Sequence, residues 1–258
     1  MATANAPLSL AGMRVFVTGG SSGIGRAIAL ASARAGADVA ITYRLNERGA
    51  RDVAREVEVL GRRARTLRLD LADIASVNAL AGGVRAALGG ADVWVNNAGA
   101  DVLTGPASSL PDIDKLDLLM RVDLRGTILA SWQAAELMAG QDGGGVIINM
   151  SWDHVLTGMA GIEAQLFSAV KGGVLAFSKS LARTVAPRVR VNVLAPGWIE
   201  TAYGSEVNES IRRQVVASTP LERWGTPDDV AGAAVYLASP AASFVTGQTM
   251  LVGGGVVM

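Results

Sequence analysis

The chain contains no cysteine, which excludes disulfides, thiolate nucleophiles and cysteine-ligated metals together. Its one histidine is His154, and no cluster of His, Asp and Glu has metal-ligand spacing, so no metal site is expected. Lysine is scarce. Of the 23 basic residues only Lys115, Lys171 and Lys179 are lysine and the other 20 are arginine, so each lysine calls for a reason. The formal net charge is zero, which gives no electrostatic ground for nucleic acid or an anionic membrane as partner. No uninterrupted apolar run reaches the roughly 18 residues that a membrane span requires. Residues 1–10 lack the basic start and long apolar middle of a secretory signal, so a flexible N-terminus on a cytoplasmic protein is expected.

What is present is a chain of 258 residues, half of them hydrophobic, long enough to bury one large core. The short apolar run at 13–17 leads into Thr18-Gly19-Gly20-Ser21-Ser22-Gly23-Ile24-Gly25. Apolar residues then recur at Ile24, Ala27, Ile28 and Ala31. That is a strand, a glycine turn and an amphipathic helix. Glycines there let the backbone approach a diphosphate, and the first helical turn offers it free N–H groups and the positive end of the helix dipole. Further strands are expected at 38–43, 66–71, 91–95, 146–150, 189–194 and 249–252. Helices are expected at 47–60, 74–88, 114–138, 165–185, near 205–217 and at 227–238. Strands alternating with helices imply a doubly wound α/β domain spanning 1–258, with about seven parallel strands and helices on both faces. No linker or repeat divides it.

Ligands of such sheets sit outside the carboxyl ends of the strands, where Ser21, Tyr43, Asp70, Asn96, Ser151 and Pro196 fall. The second strand ends at Tyr43-Arg44 with no carboxylate until Glu47, which favours a 2′-phosphate, hence NADP(H), over NAD(H). The alternative for Arg44 is a solvated loop arginine. Asp70 is placed either to accept from the adenine amine or to cap the next helix.

With these pieces in place the chain resembles the short-chain dehydrogenase/reductase family, in its ketoreductase-like branch, over nearly its whole length. The glycine motif at 18–25, Asn96-Asn97-Ala98-Gly99, Arg190-Val191-Asn192 with Ala195-Pro196-Gly197, and the section from Pro220 to Gln248 carry the likeness. It implies a Rossmann-type fold, a small-molecule substrate and a homotetramer or homodimer. It also implies nucleotide contacts at Gly19, Ser21, Ser22, Gly23, Ile24 and Gly25. Further contacts are implied at Tyr43, Arg44, Asp70 and Leu71, at Asn97, Ala98 and Gly99, and at Lys171, Pro196, Gly197, Ile199 and Thr201. A segment at about 199–217 would cover the substrate.

The family's catalytic set is a tyrosine with a lysine four residues on, an upstream serine and a helix asparagine. Lys171 matches the lysine, but the tyrosine position is Phe167 and the asparagine position is Asp123. Aligning from the strand puts Trp152 at the serine, with Ser151 before it, and counting back from Phe167 lands on His154. Phenylalanine has no exchangeable proton, so a ketone's alkoxide would need another donor. His154, Asp153, Asp123 and Tyr203 are the candidates. Lys171 retains the role of holding the nicotinamide ribose. Trp152 and Phe167 offer an aromatic face to a flat or cationic substrate, or fill space left by altered neighbours. The expected activity is NADPH-dependent hydride transfer to a carbonyl, an iminium carbon or an activated C=C bond. The alternative is a protein of this fold that binds NADP(H) yet catalyses a non-redox step or only binds ligand. The substrate is not legible.

Overall fold

Seven short strands, most of them apolar, make the centre of the molecule. The computed structural model describes residues 7–201 and 207–258. The strands are β1 (Arg14–Val17), β2 (Asp38–Tyr43), β3 (Ala64–Arg68), β4 (Val93–Asn96), β5 (Gly145–Met150), β6 (Val189–Pro196) and β7 (Thr249–Val252). They form one sheet in the order β3-β2-β1-β4-β5-β6-β7, every pair parallel. Side chains alternate across a strand, so Val15 and Val17 enter one core while Phe16 enters the other. Helices α1 (Gly23–Arg34), α2 (Glu47–Val59) and α9 (Pro227–Ala238) cover the first face. On the second face lie α3 (Ile74–Asn78), α4 (Leu80–Leu88), α6 (Thr127–Ala139) and α7 (Ile162–Val185). Helices α5 (Asp112–Leu119) and α8 (Glu209–Ser218) lie nearer the strand ends that form the site. Among the described residues no helix is long and apolar enough to cross a membrane.

A polar ladder pins the middle strands inside this apolar interior. The Trp94 indole N–H donates to Asn96 Oδ1 at 2.9 Å, and Asn96 Nδ2 donates to Asn149 Oδ1 at 2.8 Å and Ser131 Oγ at 2.9 Å. Asn149 Nδ2 in turn donates to Ser178 Oγ at 2.9 Å. The ladder ties β4 to β5, α6 and α7, and its saturation is what makes buried amides tolerable.

Several expected boundaries move. The third strand, expected at 66–71, ends at Arg68. The main chain turns there because Asp70 N donates to Ser76 Oγ and the Asp70 carboxylate accepts from Ala72 N. The helix expected at 74–88 is two helices meeting at Ala79. The one expected at 114–138 begins after Pro111 at Asp112 and widens into a π turn over Met120–Gly126. Leu10, expected in a flexible terminus, is fully buried and donates its N–H to Ala35 O.

Replacing Asn96 with alanine would strand the Trp94 N–H and remove a donor from Asn149. A loss of about 2 kcal/mol or more is expected, read as a lower urea midpoint at fixed protein concentration.

Candidate active site

The turn from β1 into α1 is built by contacts too close for side chains. Gly19 (φ +67°) and Gly23 (φ +53°) occupy the left-handed region, which glycine enters without steric cost. A Cβ on Gly25 would lie 2.3 Å from Gly19 O, and one on Gly19 would lie 2.9 Å from Ala98 Cα. Thr18 Oγ1 accepts from the N–H groups of Asn97 and Ala98, each at 3.0 Å, while Asn97 Nδ2 donates to Thr18 O at 3.0 Å. The ends of β1 and β4 are thereby laced together. Ser22 stands at the N-cap of α1 without a side-chain hydrogen bond, so the first-turn N–H groups stay open to an anion. This cradle of bare backbone fits a diphosphate. Tyr43 ends β2, and Arg44 after it is exposed. Asp70 spends one carboxylate oxygen on Ala72 N in the turn, so the cap of the following helix is Asp73, which accepts from Ala75 N, and not Asp70. Leu71 beside Asp70 is buried.

From the cradle a cleft of about 570 Å³ runs to the far end of the strands. Of the residues expected to hold nucleotide, Ile24, Asn97, Lys171, Pro196, Gly197, Ile199 and Thr201 line it. Ser151, Trp152, Phe167 and Trp198 line it as well. Lys171 Nζ lies 2.8 Å from Asp123 Oδ2, whose side chain is 1 % exposed. Asp123 Oδ1 also accepts from Ala100 N at 2.7 Å. The π turn carries Asp123, and Gly99 makes room for it, because a Cβ there would fall 2.6 Å from Oδ2. π turns recur at functional sites because the extra residue re-aims the side chains around it. Asp123 thus anchors Lys171 from below and does not face the cleft as a proton donor. Ser151 Oγ donates to the main-chain carbonyl of Lys171 at 2.9 Å, which fixes α7 to the end of β5.

Asp153 and His154 sit one layer behind the wall. His154 stacks on Trp152 (ring centroids 5.0 Å apart, 25° between planes) and meets Trp198 edge-on at 6.1 Å. Asp153 Oδ1 accepts from the backbone N–H of His154 at 2.7 Å and lies 2.6 Å from His154 Nδ1. That oxygen already acts as an acceptor, so the ring N–H is assigned to Nδ1. Asp153 is fully buried, and Oδ2 has no hydrogen-bond partner among the described residues. Loss of hydration pushes its carboxyl above the usual carboxylate range, against the opposing hydrogen bonds from His154. A Cβ on Gly197 would fall 2.5 Å from Asp153 Oδ2 and one on Gly253 2.3 Å from it. Gly197 is therefore required by this carboxylate. Tyr203 lies outside the described residues.

Phe167 is half-buried against Val102, Leu119, Leu166 and Val170 and meets Trp152 edge-on at 6.4 Å. Six lining residues escaped the sequence reading: Leu103, Met159, Ala160, Gly161, Glu163 and Ala164. Glu163 had a signal, since 163, 167 and 171 are spaced by four and share a helix face. Leu103 and Met159 come from irregular segments whose path no periodicity announces.

A nucleotide cradle at the carboxyl end of a doubly wound sheet, with a lysine aimed into the adjoining cleft, defines a dinucleotide-dependent oxidoreductase. A family model described as enoyl-(acyl carrier protein) reductase matches residues 19–257. An uncharacterized oxidoreductase of Mycobacterium tuberculosis is 40% identical over 247 residues, 93% of this chain and 90% of its own length. Among solved structures, a short chain dehydrogenase from Burkholderia cenocepacia in complex with NADP is 33% identical, with TM-score 0.85 over 96% of this chain and 98% of that one. A 7α-hydroxysteroid dehydrogenase complexed with NADH and 7-oxo glycochenodeoxycholic acid is 32% identical, with TM-score 0.88 over 97% of this chain and 96% of that one. The chain belongs to the short-chain dehydrogenase/reductase family and is an oxidoreductase.

Gly25→Ala drives a methyl group into Gly19 O. It is expected to weaken NADPH binding at least about 10-fold, because the phosphate-binding turn must open to admit it. Titration of NADPH fluorescence checks this.

Proposed function

We propose that this oxidoreductase is an NADPH-dependent reductase whose acceptor takes hydride without a proton from the protein. The acceptor is an iminium carbon or an activated C=C bond. The observation that carries the reading is the wall beside Lys171, where Phe167 and Trp152 stand and His154 and Asp153 lie behind the indole. When bound, the reduced nicotinamide supplies hydride. At an iminium carbon the C=N π pair retreats to nitrogen as hydride arrives, the cation becomes a neutral amine, and no proton is needed. An activated C=C bond leaves a stabilised carbanion that takes its proton from water. A ketone leaves an alkoxide, and a positioned acid is worth typically 10²–10⁴-fold there.

The chain's own groups are assigned as follows. Lys171, anchored by Asp123, holds the nicotinamide ribose, and the open N–H groups of α1 hold the diphosphate. Arg44 faces the 2′-phosphate as a planar, permanently charged fork. Trp152, Phe167 and Trp198 give the reacting face an apolar wall. A second reading, ketone reduction, has one observation in its favour. The 2.6 Å Asp153–His154 contact is a buried proton store, which would have to deliver past Trp152.

Oxidation of NADPH followed at 340 nm should run about 100-fold faster or more with cyclic iminium substrates than with ketones of matched shape. Phe167→Tyr should raise ketone turnover by a similar factor. Ketone turnover that equals iminium turnover and vanishes in His154→Ala would overturn the reading. Arg44→Ala should raise KM for NADPH about 10-fold or more while leaving KM for NADH unchanged.

A further inference from the structure

Helix α7 presents three residues to the cleft at intervals of four, Glu163, Phe167 and Lys171. Four residues advance a helix by about 6 Å, so Glu163 stands one turn beyond the ring that replaces the family's acid. The charges along this stripe are not equally free. Lys171 is matched by Asp123 at 2.8 Å, and Asp123 is sealed from solvent. The Glu163 side chain is 44 % exposed at the cleft, and its partner is Lys115, reaching from α5 with only 8 % exposure. The separation of 3.6 Å places the carboxylate by charge and leaves its oxygen lone pairs available to a ligand. Lys115 thereby gains a reason among the chain's few lysines. Between the carboxylate and Lys171 the wall is aromatic, with Trp152 and Phe167 edge-to-face at 6.4 Å.

We propose that Glu163, with the rings of Trp152 and Phe167, forms a subsite for an organic cation, and that it selects substrates carrying an ammonium or iminium charge. This rests on the reductase reading and narrows it from any proton-independent acceptor to a positively charged one. A carboxylate in a cleft also lined by aromatic rings is suited to a weakly hydrated alkylammonium, which is drawn both by the anion and by the ring quadrupoles. A neutral enone gains neither contribution. Glu163 supplies charge complementarity here and takes no part in proton transfer.

The test uses binding, so that it stands apart from turnover. The intact chain is titrated by calorimetry with choline and with its uncharged isostere 3,3-dimethyl-1-butanol. Choline should bind about 10-fold tighter or more. Glu163→Gln should bring the two ligands to near equality by weakening choline alone, and Lys115→Met should keep the preference for choline. Should Glu163→Gln fail to fold because Lys115 is left unpaired, the double variant Glu163→Gln/Lys115→Met carries the same comparison. An unchanged preference, an equal loss for both ligands, or no preference in the parent chain overturns the subsite. Choline binding that depends on Glu163 in a protein inert toward every iminium would uphold the subsite and overturn the reductase reading instead. Iminium turnover without choline preference would do the reverse.

Discussion

Everything at the functional end depends on how closely the backbone after β1 approaches the backbone after β4. Gly19 rests on Ala98, Gly25 rests on Gly19 O and the amide of Asn97, and Thr18 ties both strands with one hydroxyl. Closing this gap leaves the first turn of α1 pointing open N–H groups at a fixed place outside the sheet. The buried ladder through Asn96 and Asn149 acts in the same direction, since it fixes β4 against β5 and α7 and so places the glycine turn relative to the helix that carries Phe167 and Lys171. A side chain anywhere in that contact would separate the strands' ends, and the anion site would lose its shape before it lost its chemistry.

The cleft beyond the cradle is organised by two ion pairs with an aromatic wall between them. Lys171–Asp123 is buried, and its separation costs more than its formation yields, because an uncompensated charge would remain in a poorly hydrated place. The pair therefore acts as a positioning device for the ammonium. Lys115–Glu163 is half open and leaves its anion at the rim. Exposed pairs contribute little to stability, so its effect is one of placement too. The wall continues away from the cleft as a run of rings, from Trp152 through His154 and Trp198 to Trp224, where the Trp224 indole N–H donates to Arg212 O at 3.3 Å. The helix α8 is thus docked onto the same rings that line the substrate side.

Much of the fold was legible because it rests on local periodicity. Strands at 38–43 and 249–252 appear where expected, and the glycine turn occupies the position its spacing implied. The misplaced elements share a cause: Asp70, Ala79 and the π turn at Met120–Gly126 owe their geometry to side-chain hydrogen bonds and packing that no periodic pattern records. For the site, the sequence pointed to Phe167, Lys171, Ser151 and Trp152, which the structure brings to one cleft. It could not say which of them face the cleft. Asp153 and His154 are adjacent in sequence to Trp152, yet a single extended residue turns the indole toward the cleft and the dyad away from it.

By itself, then, the sequence determined the sheet, the glycine turn and the placing of Phe167 and Lys171 on one helix face, since each depends on residue types at short fixed spacings. Only the tertiary structure decided that Asp123 serves Lys171, that Gly197 accommodates Asp153, and that Glu163 reaches the cleft with Lys115 behind it. Those relations join segments far apart in the chain. Their distances and exposures are set by how helices pack on the sheet, a property that spacing along the sequence does not contain.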